Sequence, residues 1–220
     1  MAKKNLFDSF SLTELFRPIL TVCSLWQNKN LHPCIIANPH SGGFTIKSRV
    51  NHHKKILTKA AEEAANKMST LIEEQSFNSK KQKYAQIDDF PLYQTEYAGH
   101  AAFITQEVLT DALNSKEDDE FLIITAGGDG TSLEVLTALL KFALLNKKNY
   151  KLVTERICVL RLPFGTGNDG SDGRTIEETL KLLTMPSEFY LQKAMKVYYE
   201  GSSSSNYKSN NSSLDKLPPW

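Results

Sequence analysis

Thr125-Ala126-Gly127-Gly128-Asp129-Gly130-Thr131 is the stretch around which the chain is organised. The apolar run at 121–124 precedes it and predicts a buried parallel strand. Three glycines within four residues predict backbone that adopts positive φ and approaches an anion without a Cβ in the way. Thr131-Ser132-Leu133-Glu134 predicts a capping box with Thr131 as N-cap and Glu134 reaching back to it, so the positive end of a helix faces the loop. The stretch therefore predicts a phosphate-binding loop, with an ordinary tight turn as the alternative.

Composition narrows the class of protein. Of 220 residues, 40% are hydrophobic, which predicts a globular protein with a normal core. The 26 basic and 25 acidic residues nearly cancel, which argues against nucleic acid as a partner. Cys23, Cys34 and Cys158 lie far apart among aliphatic residues, which favours buried, reduced thiols and a cytoplasmic location. No apolar run approaches the roughly 18 residues that cross a bilayer, so we expect membrane contact to be peripheral.

The chain divides into three predicted parts. Residues 1–31 are an N-terminal helical extension, whose helix begins with a capping box at Ser11, is broken or redirected near Pro18, and packs on its own domain. Residues 32–186 are a nucleotide-binding domain. Residues 187–220 are the start of a second domain or a tail, with a strand over 191–199 and a flexible Ser/Asn-rich segment at 201–213.

Two more strands end in polar, glycine-rich turns. The strand at 34–37 is followed by Asn38-Pro39-His40-Ser41-Gly42-Gly43, and the strand at 156–162 by Pro163-Phe164-Gly165-Thr166-Gly167-Asn168-Asp169. A shorter strand is predicted at 90–95, and a long helix at 49–74 has apolar residues that include Ile72 on one side. Strands that alternate with helices predict an α/β fold of three αβα layers with a mostly parallel sheet and all the turns at one edge.

Histidines at 52 and 53 lie inside the predicted long helix. They have no nearby Cys, Asp or third His at ligand spacing, so they predict no metal site. We therefore expect His52 and His53 to be exposed on the helix surface.

Four motifs, in this order, resemble those of the diacylglycerol kinase catalytic-domain family, which includes sphingosine and ceramide kinases and bacterial lipid kinases. Asn38 to Gly42 is similar to N-P-x-S-G, and Thr95 with Gly99-His100-Ala101 to T-x-x-x-G-H-A. Gly127 to Thr131 with Glu134 is similar to G-G-D-G-T-x-x-E, and Pro163 to Asp169 to P-x-G-T-x-N-D. A glycine loop of this kind also occurs in NAD kinases and phosphofructokinases, so the other three motifs decide for lipid kinases.

The resemblance covers roughly residues 33 to 185 and implies the nucleotide-binding domain of NAD kinase/diacylglycerol kinase-like proteins. It implies phosphoryl transfer from ATP to a diacylglycerol-like or sphingoid lipid hydroxyl with Mg²⁺, and it implies that Asp169 joins the metal through water. An NAD kinase-like enzyme and a non-catalytic nucleotide-binding remnant are the alternatives. The implied nucleotide-binding residues are Asn38, Pro39, His40, Ser41, Gly42, Thr95, Gly127, Gly128, Asp129, Gly130, Thr131, Glu134, Gly165, Thr166 and Asn168.

The chain departs from the family pattern in two respects. Where the family commonly continues N-D-[FL]-A-R, this chain reads Asn168-Asp169-Gly170-Ser171-Asp172-Gly173-Arg174, which predicts a looser turn in place of an apolar anchor. Family members also carry a second, β-rich domain that supplies the general base and much of the lipid pocket, and little of it fits after Pro186. We therefore expect the catalytic base to lie outside these residues and the isolated chain to be a weak kinase.

Overall fold

The structure is a computed structural model that describes residues 11–77, 84–189 and 191. The strand predicted at 191–199 and the flexible segment predicted at 201–213 lie outside the described residues.

Within the described residues, four parallel strands form one sheet in the order β2-β1-β3-β4. Ala37 pairs with Ala126 and Gly127 with Pro163, so the strands end together at one edge, the carboxyl edge. From β1 the chain crosses to β2 on one side and then returns to β3 on the other side of β1. This reversal is a topological switch point, where open α/β sheets bind ligands. The strands are β1 (Asn30–Ala37), β2 (Leu92–Gln94), β3 (Asp119–Gly127) and β4 (Ile157–Pro163).

Helices cover both faces of the sheet, which confirms the predicted three-layer α/β fold. Successive strand residues point to opposite faces, so Ile35 joins the core beneath α1, α3 and α7, while Ile36 joins the core beneath α4, α5 and α6. The central strands are buried on both faces and therefore read as continuous apolar runs. The helices are α1 (Leu12–Thr21), α2 (Gly42–Thr45), α3 (Lys47–Phe77), α4 (His100–Asn114), α5 (Asp129–Ala143), α6 (Lys147–Arg156) and α7 (Ile176–Thr184).

Helix α1 packs into the domain, as predicted, but two details of its prediction are wrong. Ser11 is the N-cap residue, yet its side chain makes no capping hydrogen bond, and the helix continues through Pro18 without a break. A proline inside a helix costs about 3 kcal/mol, whereas each buried large apolar side chain contributes roughly 1.5–3 kcal/mol. Burial therefore outweighs the proline. The buried side chains are Leu12, Phe16, Ile19 and Leu20.

Some elements differ from their predicted bounds. Helix α6 was not predicted, because it is mostly polar and its buried residues are Asn149 and Leu152. The Asn146 side chain caps its start by accepting a hydrogen bond from the Asn149 N–H at 2.9 Å. The prediction that Ile72 lies on the buried, apolar side of α3 is wrong, because this residue is 52% exposed. Strand β3 starts two residues earlier than the apolar run, so Asp119 is buried inside the sheet.

The three cysteines are free thiols, as predicted; Cys23 and Cys34 are buried and Cys158 is half-buried. Burial raises the pKa of Cys34 and of Cys158 to about 12, so both stay protonated at neutral pH. Among the helices in the described part of the chain, none has the length and apolar character needed to span a membrane.

Candidate functional site

Three loops meet at the carboxyl edge of the sheet: the first loop (38–43), the glycine loop (127–131) and the third loop (163–169). The Asn38 N–H donates to the Ala126 carbonyl at 2.9 Å, which ties the first loop to the end of β3. The Gly43 N–H donates to the Phe164 carbonyl at 2.8 Å, which ties the first loop to the third. The loops therefore form one cleft across the switch point between β1 and β3.

The glycines of the glycine loop and the third loop allow these loops to pack closely, and they do not adopt positive φ. The expectation of positive φ in the glycine loop is wrong, because within the described ranges Gly99 is the one glycine with a positive φ. A Cβ on Gly127 would lie 2.5 Å from Thr131 Oγ1, and a Cβ on Gly165 would lie 2.7 Å from the Gly128 Cα. Two backbones can approach this closely only if neither residue carries a side chain. Gly130, in contrast, faces open space.

Helix α5 starts earlier than predicted. It begins at Asp129 with Gly128 as N-cap, so Thr131 is a buried residue of the first turn and not the N-cap. The reason is that the Thr131 N–H donates to the Gly128 carbonyl at 3.1 Å. The positive end of the helix dipole still faces the glycine loop, as expected.

Glu134 bridges two elements, and its predicted capping role in its own helix is wrong. Its carboxylate accepts hydrogen bonds from the Gly99 N–H at 2.8 Å and the Ala101 N–H at 3.2 Å. These belong to the N-terminus of α4, whose first N–H groups lack partners within the helix. Glu134 therefore holds the turn that begins at Thr95 beside the glycine loop. The start of this turn is tied to β1, because the Thr95 N–H donates to the Ala37 carbonyl at 2.8 Å.

Two polar atoms in the cleft loops lack partners. In the part of the chain that the structure describes, Ser41 Oγ and Asn168 Oδ1 are buried without a hydrogen bond. Buried polar atoms are nearly always bonded, so such atoms indicate a place for a ligand or a water. Asn38 differs, because its Oδ1 accepts from the His40 N–H at 3.0 Å.

The remaining implied residues lie around the rim. His40 and Thr166 are exposed, and Pro39 and Gly42 are half-buried. A Cβ on Gly42 would lie 3.3 Å from Thr166 Cγ2, so these two residues lie close together where the first and third loops meet.

Two carboxylates converge beside the glycine loop. Asp129 Oδ1 accepts a hydrogen bond from the Gly170 N–H at 2.8 Å. A Cβ on Gly167 would lie 3.3 Å from Asp129 Oδ2 and 3.8 Å from Asp169 Oδ2, so both carboxylates approach one point. Mg²⁺ commonly binds one or two carboxylates and completes its shell with water and phosphate oxygens. These two aspartates fit that pattern, although the described residues contain no cluster of three or more acidic, His or Cys ligands.

Arg49 is a cleft residue that sequence reasoning missed. Its Nη1 donates to the Gly165 carbonyl at 3.0 Å, and a Cβ on Gly42 would lie 3.2 Å from the same nitrogen. Arg49 thus places a permanent positive charge beside the first and third loops. The signal was a basic residue at the start of a helix that directly follows a glycine-rich loop.

His53 is buried beneath the third loop, so its predicted exposure is wrong. Its residue is 7% exposed, its ring centroid lies 4.5 Å from that of Phe164, and its Nδ1 has no partner in the described structure. Burial, followed by the positive charges of His52 and Arg49, lowers its pKa to about 4, against an opposing effect of Glu177. Its spacing of four residues from the buried Leu57 on α3 was the signal for burial.

The turn after Asp169 is anchored, so the expectation of a looser turn is wrong. Asp172 Oδ2 accepts from the Arg161 backbone N–H at 2.7 Å, and Asp172 Oδ1 accepts from Arg161 Nε at 3.0 Å. An ion pair with β4 thus replaces the apolar anchor.

The fold defines an open α/β protein, a class in which ligands bind at a topological switch point. The profile of the diacylglycerol kinase catalytic domain matches residues 65–187, more than half of the chain, and the chain belongs to this family of lipid kinases. The matched range contains the glycine loop, the third loop and Thr95, and the first loop precedes it. No curated protein and no solved structure matches the chain.

Proposed function

We propose that the chain is the nucleotide-binding domain of a lipid kinase that transfers a phosphoryl group from ATP to a lipid hydroxyl with Mg²⁺. The observation that carries the proposal is the meeting of three loops at the switch point, two of which hold the unpartnered atoms Ser41 Oγ and Asn168 Oδ1. A nucleotide offers both donors and acceptors for such atoms.

The phosphates are proposed to lie at the N-terminus of α5, against the backbone of Gly127 to Thr131. A helix N-terminus attracts anions through its free N–H groups and its dipole, and Arg49 adds a full charge. Asp129 and Asp169 would hold Mg²⁺, Asp169 through water, and the metal would neutralise the phosphate charge. Phosphoryl transfer depends mainly on such positioning and charge stabilisation.

The acceptor is proposed to be a diacylglycerol-like or sphingoid lipid, reached by peripheral contact with a membrane at its cytoplasmic side. Membership of a lipid kinase family supports a lipid acceptor. No residue of the cleft is assigned as the general base.

Calorimetry with ATP and Mg²⁺ tests the binding half of this proposal. Asp129→Ala is expected to weaken binding of the magnesium complex, since it removes one of the two converging carboxylates. Glu120→Gln is the matched control, because Glu120 pairs with Lys29 at 2.6 Å at the opposite edge of the sheet. Equal ATP affinity in wild type and Asp129→Ala would contradict the assignment.

Transfer is tested with labelled ATP and vesicles that contain diacylglycerol, sphingosine or ceramide. Label in one lipid supports the proposal. Label in NAD supplied as a competing acceptor would instead favour an NAD kinase-like enzyme. Binding of ATP with no transfer to any acceptor would favour the non-catalytic nucleotide-binding module.

A further inference from the structure

A short turn from Asn168 to Gly173 carries Asp169, and both of its ends are fixed. At its far end, the Asp172 carboxylate accepts from the Arg161 backbone N–H and from the Arg161 guanidinium, at 2.7 Å and 3.0 Å. The Asp172 N–H also donates to the Arg161 carbonyl at 3.0 Å. Because Arg161 belongs to β4, this end of the turn is attached to a strand of the sheet.

The Arg161–Asp172 pair is sheltered from water. Both side chains are only 12% exposed. Charge-assisted hydrogen bonds made by a planar guanidinium fix direction as well as distance, and partial burial protects them from screening by salt. The pair therefore restricts the turn more tightly than a surface ion pair would.

The near end of the turn is attached to Asp129, whose carboxylate accepts a hydrogen bond from the Gly170 N–H at 2.8 Å. Within the turn, Ser171 Oγ lies 2.7 Å from the carbonyl oxygens of both Asn168 and Gly173. Asp169 directly precedes Gly170, so it lies next to the attachment to Asp129 and three residues before Asp172. Its separation from Asp129 is thus set by the same bonds that fix the turn.

We propose that Arg161 and Asp172 are positioning residues, which hold Asp169 opposite Asp129 so that the two carboxylates can share a magnesium–phosphate complex. The inference rests on the proposed function. It assigns a role to a pair that anchors the turn, and both residues lie outside the three loops.

The test compares ATP affinity with Mg²⁺ and ATP affinity in excess EDTA, both measured by calorimetry. The ratio of the two affinities reports the contribution of the metal alone. Asp172→Asn keeps the shape of the side chain but removes its charge and one acceptor oxygen. Removal of a group that orients a metal ligand typically lowers metal affinity by roughly 10–100-fold, so the ratio is expected to fall by that factor while metal-free affinity stays unchanged.

A milder variant and a control accompany Asp172→Asn. Arg161→Lys keeps the positive charge but cannot reproduce the planar fork, so it is expected to lower the ratio by a smaller factor. Glu120→Gln breaks an ion pair at the opposite edge and is expected to leave both affinities unchanged. Hydrogen exchange of the Gly170 amide is expected to become faster in Asp172→Asn and to stay the same in Glu120→Gln.

A ratio that is unchanged in both Asp172→Asn and Arg161→Lys would overturn the inference and leave the proposed function intact. Equal losses of affinity with and without Mg²⁺ would also overturn it, since a merely structural role affects both. If Asp172→Asn does not fold, as judged by circular dichroism, Arg161→Lys alone decides. A wild-type chain that binds no ATP in either condition would overturn the proposed function, and the inference with it.

Discussion

The two edges of the sheet differ in how their polar groups are satisfied. The amino edge, where the strands begin, carries a cavity of about 460 Å³. The carboxyl edge carries the cleft of three loops. The residues that line the amino-edge cavity are polar or charged: Asn28, Lys29, Asn30, Tyr84, Gln86, Lys116, Asp118 and Asp119.

Most polar groups at the amino edge are hydrogen-bonded within the protein. The Asp119 carboxylate accepts from Asn30 Nδ2 at 2.9 Å and from the Lys116 N–H at 3.1 Å. Arg156 Nε donates to the Asp119 carbonyl at 2.8 Å. Tyr84 Oη and His32 Nε2 are exceptions that have no hydrogen-bond partner among the described residues, although His32 Nε2 lies 3.5 Å from Asp119 Oδ2. This edge therefore resembles a structural network that closes the bottom of the sheet.

The carboxyl edge combines two unpartnered atoms, two converging carboxylates, an arginine and a helix N-terminus. Each of these features either costs free energy when it lacks a partner or offers an interaction to an anion or a metal. The candidate site is therefore marked by unpartnered atoms that lie together with two carboxylates, an arginine and a helix N-terminus, and not by unpartnered atoms or by the volume of a cavity alone.

The largest expected effect concerns His53 beneath the third loop. Its pKa is about 4 in the folded chain against an ordinary value of 6.5. The unfolded chain therefore binds the extra proton first, and the stability that a neutral His53 provides is present above pH 6.5 and is lost as the pH falls towards about 4. The loss is on the order of 3 kcal/mol in the free energy of unfolding.

Urea denaturation at about pH 7.5 and about pH 4.5 measures this loss. His53→Gln should lose less stability than wild type over this interval. His52→Gln is the matched comparison: His52 is exposed beside Glu177, and its charge lowers the pKa of His53 less than burial does, so this variant should lose slightly less stability than wild type and more than His53→Gln. The same acid-induced loss in wild type and His53→Gln would show that other groups are responsible. Faster hydrogen exchange at 115–121 than at 163–169 in acid would break the proposed contrast between the edges.

Gly165→Ala is expected to have the next largest effect. The new Cβ would meet the Gly128 Cα at 2.7 Å, so one of the two loops must move. Overpacking of this kind costs about 1–3 kcal/mol, and ATP affinity should fall because the cleft changes shape. Gly130→Ala is the control: its Cβ meets open space, and alanine in a helix should stabilise the chain by up to about 1 kcal/mol. Equal effects of the two substitutions, measured by urea denaturation, would refute the close approach of the loops.

Glu134→Gln removes the charge and one of the two acceptor oxygens that serve α4. The loss of a helix cap costs about 1 kcal/mol, and hydrogen exchange at Gly99 or Ala101 should become faster. Glu155→Gln is the control, because Glu155 forms only an exposed ion pair with Lys151 at 3.7 Å, and such pairs contribute roughly 0.3–0.5 kcal/mol. Equal destabilisation of the two variants in urea would argue that Glu134 is not a cap.

The features that sequence could predict are local in the chain. An apolar run followed by glycines predicts a strand that enters a turn, and the alternation with helices then predicts the parallel sheet and its edge. The sequence alone therefore predicts that the three loops lie at one edge of the sheet. The prediction of Thr131 as the N-cap of α5 is wrong because Gly128, also an acceptable N-cap residue, caps the helix three residues earlier.

The features that sequence could not predict depend on partners far along the chain. Glu134 bonds to residues more than 30 positions away, and Arg49 reaches Gly165 across 116 positions. A capping-box pattern is satisfied equally well by its own helix or by a neighbour, so only the packing of α4 on α5 decides. The prediction of a loose turn at 170–173 likewise used only the residues of the turn itself. The bonds from Arg161 to Asp172, which anchor the turn, come from a residue on β4.

Ser41→Ala and Asn30→Ala test the contrast between the edges with the smallest expected change. Ser41 Oγ has no partner in the described structure, so its removal should leave the free energy of unfolding within about 0.5 kcal/mol of wild type or raise it. Asn30 Nδ2 donates to Asp119 at 2.9 Å, so its removal should cost about 0.5–1.5 kcal/mol. ATP affinity should show the reverse order, with a loss in Ser41→Ala alone. If Ser41→Ala were as destabilising as Asn30→Ala and bound ATP normally, the hydroxyl would serve the fold, and Ser41 would no longer belong to the proposed nucleotide site.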